Sequence, residues 1–195
     1  MKATLRAHVL ERRRQLTVDE RSLYDVSLSH HLHTLLTDLA RESDSLTVAA
    51  HVPIGTEPGA TVDFVDDISA IADTVLLPVC PPGLPAPLLW GTYNGALRTG
   101  RFGLAEPAGE TRPPTALADA DVVLLPALAA DVTGMRLGRG AGYYDRSLQH
   151  ATGLLVVVVH SGEVVESVPF DDHDRPADMI VTADGILTAG GNSGT

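Results

Sequence analysis

At 195 residues the chain is the size of one ordinary domain and long enough to bury a core without disulfide or metal staples. Its 44% hydrophobic and 20% charged residues exclude a disordered, collagen-like or coiled-coil chain. The net charge of −11, from 14 basic and 25 acidic residues, argues against general affinity for nucleic acid or anionic membrane, so an anionic ligand must meet positive charge concentrated locally.

Leu5, Val9 and Leu16, with arginines between them, predict a short basic helix of modest amphipathicity from about Lys2 to Gln15. Thr17-Val18-Asp19-Glu20 fits a capping box and opens a second helix, in which Leu28, Leu32, Leu35, Leu36 and Leu39 recur at helical spacing and which stops near Arg41. Residues 46–52, closed by Pro53 and Gly55, read as the first core strand. Thr61 is expected to cap a helix with Phe64, Ile68 and Ile71 on one face, and residues 74–79 form the next strand. The proline-rich residues 81–87 exclude regular structure, after which residues 88–93 and Asn94-Gly95 read as one arm of a hairpin and its turn. Residues 121–126, 154–159 and 179–182 are further apolar strands, the last ending the pattern, with a helix over residues 142–150 between the first two. Continuous apolar runs alternating with helices point to a sheet covered on both faces. The expected architecture is one three-layer α/β/α domain over residues 1–189, with a mostly parallel central sheet, an N-terminal helical pair and a disordered tail at 190–195.

Cys80 is the single cysteine, which excludes an internal disulfide framework and a cysteine-bound zinc or iron–sulfur centre and fits a reducing cytoplasm. The longest aliphatic run, residues 154–159, falls far short of the roughly twenty residues needed to cross a bilayer. The arginine-rich N-terminus has no apolar stretch behind it to make a secretory signal.

Positive charge gathers in two places. Lys2, the only lysine, stands with Arg6, Arg12, Arg13, Arg14 and Arg21 near the N-terminus, and Arg136, Arg139 and Arg146 punctuate a glycine-rich segment. There Gly138, Gly140 and Gly142 let the backbone come close to a ligand and turn its N–H groups towards it, and the helix that follows offers its positive end. The segment follows the strand ending at Pro126, hence lies at the carboxyl edge of the sheet, where open α/β folds bind ligands. A Walker loop is excluded because the segment has no lysine. On spacing alone, a dinucleotide loop with Glu163 as the ribose carboxylate and a flexible glycine turn with solvated arginines both stay open beside the anion cradle.

The run Leu124-Leu125-Pro126-Ala127-Leu128-Ala129-Ala130-Asp131, then Gly134, then Arg136-Leu137-Gly138-Arg139-Gly140-Ala141-Gly142-Tyr143-Tyr144-Asp145-Arg146, resembles the signature of the 5-formyltetrahydrofolate cyclo-ligase family, also called methenyltetrahydrofolate synthetase. Lys2, Leu5 and Arg6 at the start, residues 53–57, Gly103-Leu104-Ala105-Glu106-Pro107 and residues 169–174 agree in order, so the resemblance covers nearly the whole length.

The resemblance implies an enzyme that closes the formyl group of 5-formyltetrahydrofolate onto N10 with ATP and magnesium, giving 5,10-methenyltetrahydrofolate, ADP and phosphate. It assigns Lys2, Ala3, Thr4, Leu5 and Arg6 to the ATP, together with Arg136, Leu137, Gly138, Arg139, Gly140, Ala141, Gly142, Tyr143 and Tyr144. Arg139 and Tyr144 take the catalytic roles, Val52, Glu57 and Tyr143 touch the reduced folate, and Asp145 and Asp174 match the family's magnesium carboxylates. His51 could line the folate pocket, Trp90 is expected in the core or a pocket wall, and His30, His31 and His33 imitate a metal cluster without a carboxylate or cysteine partner. Ala130, Ala141, His160 and Glu163 depart from the residues usual in the family and bear on the shape and polarity of the folate pocket. The reading is therefore a monomeric cytoplasmic cyclo-ligase. The competing classes are a non-catalytic folate- or nucleotide-binding protein and an α/β enzyme using NAD or a sugar phosphate.

Overall fold

The computed structural model describes residues 1–171 and 174–190. Two helices, α1 (Lys2–Gln15) and α2 (Val18–Glu42), lead into β1 (Thr47–Ala49), α3 (Phe64–Ser69) and β2 (Thr74–Val79). Then come β3 (Leu89–Thr92), β4 (Leu97–Thr99), β5 (Ala105–Pro107), β6 (Thr111–Arg112), β7 (Val122–Pro126), β8 (Ala129–Asp131) and β9 (Arg136–Leu137). The chain closes with α4 (Tyr143–Ser147), β10 (Leu154–Val158), β11 (Val164–Val165), β12 (Met179–Thr182) and β13 (Gly185–Thr188).

The central sheet runs β13-β12-β10-β7-β1-β2-β3-β6, with β12, β10, β7, β1 and β2 parallel and the flanking strands antiparallel. Val48 of β1 pairs with Val75 on one side and Val122 on the other. Each of these is buried on one face, and their neighbours Ala49, Leu76 and Val123 are buried on the other. After β1 the chain adds β2 on one side and later β7 on the other, so the direction of growth reverses between β1 and β7. Crevices of this kind are where open α/β sheets bind ligands.

The two faces are covered unequally. On one, α2 and α3 bury Leu28, Leu32, Leu36, Phe64 and Ile68 against Val48, Val75, Leu124 and Val156. On the other, only 3-10 turns and the single-turn α4 lie over Ala49, Leu76, Val123 and Leu155. A third cluster joins Val9 of α1 to the small sheet β11-β8-β9 through Leu128, Ala129, Leu137 and Val168.

The capping box forms as read. Thr17 Oγ1 accepts the Glu20 N–H at 3.2 Å, and Glu20 Oε2 accepts the Thr17 N–H at 2.8 Å. Several expectations are corrected. The first strand is three residues rather than seven, because His51 and Val52 leave the ladder to line a cavity. Thr61 does not cap α3, whose N-cap is Asp63. Buried Asp25 of α2 instead holds the Thr61 N–H (2.9 Å), its hydroxyl (2.7 Å) and the Gly59 N–H (2.7 Å). Gly59 has φ +87°, and a Cβ there would stand 2.4 Å from the Phe64 ring, so the loop between β1 and α3 is fixed at both ends of this contact.

The Asn94-Gly95 turn does not make the expected hairpin. Strand β3 lies between β2 and β6, while β4 pairs with β5 in a separate two-stranded sheet. The helix expected over residues 142–150 is α4 followed by a 3-10 turn, Leu148–His150. At the break, Ser147 Oγ donates to the Tyr143 carbonyl (2.7 Å) and accepts the Leu88 N–H (2.8 Å). A further strand, β13, follows the one expected to be last. Trp90 is completely buried in the core and is not a pocket wall. The expected tail lies outside the described residues except for Gly190, whose N–H donates to the Val132 carbonyl at 2.9 Å.

Candidate active site

A cavity of about 520 Å³ opens at the carboxyl ends of β1, β2 and β7, a size typical of a small-molecule site. Its floor is made by His51 and Val52 after β1, Pro78 and Cys80 at the end of β2, and Pro126 and Ala127 at the end of β7. The residues from Gly138 to Asp145 form one wall, and Arg101, Phe102, Leu104 and Glu106 also line the cavity.

The glycine-rich wall has unused donors. The N–H groups of Gly138, Gly140, Ala141 and Gly142 donate to no described backbone or side-chain oxygen. Gly140 and Gly142 adopt φ of +106° and +70°, the left-handed conformation that glycine accepts without strain. Gly138 has ordinary φ and no atom within 4 Å of where a Cβ would sit, so its bare backbone leaves open space rather than relieving a clash. Because α4 is a single turn, its dipole adds little; amides and guanidinium groups are left to attract an anion.

The cations around this wall are each held. Arg139 places Nη2 2.8 Å and Nε 3.1 Å from Glu57 Oε1, so the glycine-rich wall and the loop after β1 are joined by this ion pair. Glu57 is itself fixed, since its Oε2 accepts the Ile54 N–H at 2.9 Å. Arg136, with only 5% of its side chain exposed, binds Asp145 at 2.5 Å and the Arg175 carbonyl at 2.6 Å. Burial pulls its pKa below the usual guanidinium value, while Asp145 and Asp174 oppose that shift. Lys2 bonds Asp171 at 2.7 Å and Asp174 at 3.4 Å, chiefly the first of which raises its pKa. Arg6 Nε donates to the Gly138 carbonyl at 2.9 Å.

The expected site residues thus converge, but not uniformly. Arg6 borders the loop and Lys2 the segment at Asp171 and Asp174, neither lining the cavity; Ala3 and Thr4 are exposed, and Leu5 packs beside Val9. Leu137 is buried in that same cluster, leaving only its neighbours facing the cavity. Tyr143 and Tyr144 both line it. The Tyr144 hydroxyl is buried with no partner among the described residues, and burial drives its pKa well up, so it remains a protonated donor. Val52, Glu57 and Asp145 line the cavity, whereas Asp174 does not and lies 3.4 Å from Lys2. His30 and His31 touch each other on α2 and His33 turns to Thr37, away from the cavity.

Three of the four departures lie outside the cavity wall, contrary to the expected effect on the folate pocket. Ala130 is core, His160 reaches the Thr56 carbonyl at 3.1 Å, and Glu163 is buried against Arg13; only Ala141 lines the cavity. Glu163 is therefore committed elsewhere and is not a ribose carboxylate. The sequence reading missed Glu106 and Phe102 as wall residues. Glu106 had a local signal in Gly100, where a Cβ would stand 2.0 Å from its carboxyl carbon.

The model of the 5-formyltetrahydrofolate cyclo-ligase family matches residues 1–183. The chain belongs to that family. It is 43% identical over 142 residues to the 5-formyltetrahydrofolate cyclo-ligase of Mycolicibacterium smegmatis, covering 70% of this chain and 73% of the relative. To the Escherichia coli K12 protein of the same name it is 27% identical over 179 residues, covering 89% and 96%. The NMR structure of Aquifex aeolicus 5,10-methenyltetrahydrofolate synthetase superposes with a TM-score of 0.76 at 32% identity, covering 100% of this chain and 95% of that one. A Mycoplasma pneumoniae 5,10-methenyltetrahydrofolate synthetase, at 23% identity, shares the fold with a TM-score of 0.73 over 93% and 98% of the two chains. The protein is an enzyme of the cyclo-ligase family, and among the described residues no helix is long and apolar enough to cross a membrane.

Proposed function

We propose that the enzyme cyclises 5-formyltetrahydrofolate to 5,10-methenyltetrahydrofolate in an ATP- and magnesium-dependent reaction, with release of ADP and phosphate. A formamide oxygen is a poor leaving group. Its phosphorylation lets N10 attack the formyl carbon, after which the oxygen departs as phosphate and N10 loses its proton. No protein nucleophile is needed; the protein's tasks are alignment, charge neutralisation and exclusion of water.

The observation that supports this reading best is the row of amides from Gly138 to Gly142 without an acceptor among the described residues, with Arg136 just before it and Arg139, paired to Glu57, within it. These amides and guanidinium groups suit a triphosphate, with Arg139 at the transferring phosphoryl and the protonated Tyr144 hydroxyl donating to phosphate or formyl oxygen. Glu57 and Val52 suit the pterin edge, the carboxylate accepting paired N–H bonds. Asp145 and Asp174, two carboxylates set against Arg136, would hold the magnesium ion, which needs one or two carboxylates besides phosphate oxygens and supplies charge neutralisation at the phosphates. The lone Cys80 suits a cytoplasmic setting, and a cavity built from one chain suits a monomer.

The test is spectroscopic, because the methenyl product absorbs where the formyl substrate does not. An absorbance rise requiring both ATP and magnesium is expected. Ligand binding without that rise, or a rise indifferent to nucleotide, would overturn the proposal.

A further inference from the structure

Lys2, Arg6, Val9 and Arg13 recur at spacings of four, three and four, and so share one side of α1. At its N-terminal end this stripe reaches the glycine-rich wall through Arg6 on the Gly138 carbonyl, while Lys2 is held on the separate segment that carries Asp171 and Asp174. At the other end, about 16 Å along the helix axis from Lys2, Arg13 is 1% exposed. Its Nε and Nη2 form a fork on Glu163 at 2.6 and 2.8 Å, and Nη2 also donates to the Ala127 carbonyl at 2.8 Å. Ala127 follows β7 and is part of the cavity floor, and Glu163 ends the 3-10 turn after β10. Glu163 Oε2 in turn accepts the His160 N–H at 3.0 Å, and Arg12 bonds the Gly162 carbonyl at 2.8 Å.

The far end of α1 is therefore bolted to the carboxyl ends of two central strands, while its near end overhangs the amides of the loop. Val9 is the one fully buried apolar residue of the helix. Apolar contact alone tolerates sliding and rolling, whereas a planar guanidinium on a carboxylate allows one orientation. We infer that Arg13 and Glu163 are positioning residues for the nucleotide: their buried fork sets the axial place and rotation of α1, and thereby where Arg6 stands at the phosphate-binding wall and Lys2 on its separate segment. This rests on the nucleotide reading of the cavity proposed above. Neither residue touches the substrates. The pair differs from a general brace, whose loss would weaken both substrates alike.

The experiment is steady-state kinetics on the full-length enzyme, varying ATP at saturating 5-formyltetrahydrofolate and then the reverse, for the parent, Arg13→Lys, Arg13→Met and Glu163→Gln. Arg13→Lys keeps the charge and most of the stem but loses the fork, and is expected to raise the KM for ATP about tenfold. The folate KM and kcat at saturating ATP are expected to stay at the parent's values. Arg13→Met should be at least as severe towards ATP; if it does not fold, Arg13→Lys carries the test. Glu163→Gln keeps an acceptor for Arg13 and should lie closer to the parent than either. A folded Arg13→Lys with the parent's ATP KM, or with both KM values raised in parallel, overturns the positioning role alone. A parent enzyme that turns over without ATP overturns the nucleotide reading itself, and this inference with it.

Discussion

Two consecutive helices are attached to the same body by opposite means. Helix α2 lays Leu28, Leu32 and Leu36 into the core, none more than 3% exposed. Helix α1 fully buries only Val9 among its apolar residues, with Leu5 and Leu10 packed partly beside it, and otherwise reaches the body through Lys2, Arg6, Arg12 and Arg13. Burial of a leucine contributes about 1.5–3 kcal/mol and is indifferent to direction. Directional polar contacts fix a helix at a few points and leave charge beside the site. On the proposed reading, stability and ligand recognition are divided between neighbours, and substitutions should separate them.

The largest effect is expected on the recognition side. Arg139→Ala should lower turnover by about a hundredfold to a thousandfold, the range for losing a donor to developing transition-state charge. Its thermal melt should barely move, since half of the side chain is exposed and its ion pair is of the weak kind. Normal kinetics in that variant would remove Arg139 from the phosphoryl-transfer role. On the stability side, Leu36→Ala should cost about 2–5 kcal/mol in a denaturant titration, with both KM values unchanged; a shift in the ATP KM would mean that α2 also positions the site. Gly138→Ala should leave folding intact, because no atom lies within 4 Å of the new methyl. Calorimetry should nevertheless show nucleotide affinity falling by about one order of magnitude as the methyl enters the cradle.

A smaller and opposite effect is expected from Glu57→Gln. Freed from its carboxylate, Arg139 should bind nucleotide up to about fivefold more tightly, as follows from the modest strength of a half-exposed pair, while folate binding weakens. The smallest concerns acid. Burial lowers the His51 pKa below 6.5, so the folded protein keeps this imidazole neutral while the unfolded chain protonates it. Its contribution to stability is complete above that value and is lost as the pH falls from about 6.5 towards the lower folded-state pKa. His51→Gln should flatten that part of the stability–pH curve, and an unaltered curve would contradict the assignment.

What could be read in advance follows the same division. The leucine stripe and the Thr17 capping box were legible because both are local periodic features. The glycine-rich wall was legible because positive φ at Gly140 and Gly142 is a demand of the backbone itself. The inward stripe of α1 escaped a search for apolar periodicity, since three of its four residues are charged. Glu163 looked like an altered pocket residue because its partner, Arg13, stands 150 positions away. The Asn94-Gly95 turn was recognised, but which strands pair around it depends on contacts beyond the turn, and β4 chose β5. Thr61 resembled a helix cap because Asp25, which claims it, lies on another element.

The pairing of Lys2 with Asp171 and Asp174, of Arg136 with Asp145 and of Arg139 with Glu57 has one more outcome. Long side chains surrender up to about 2 kcal/mol of rotamer freedom when they are ordered, and here that loss accompanies folding rather than ligand arrival. A newcomer meets preset groups and has only to displace their present companions. On the proposed nucleotide reading, displacement would favour anions of concentrated, multiple charge over chloride and other feeble competitors.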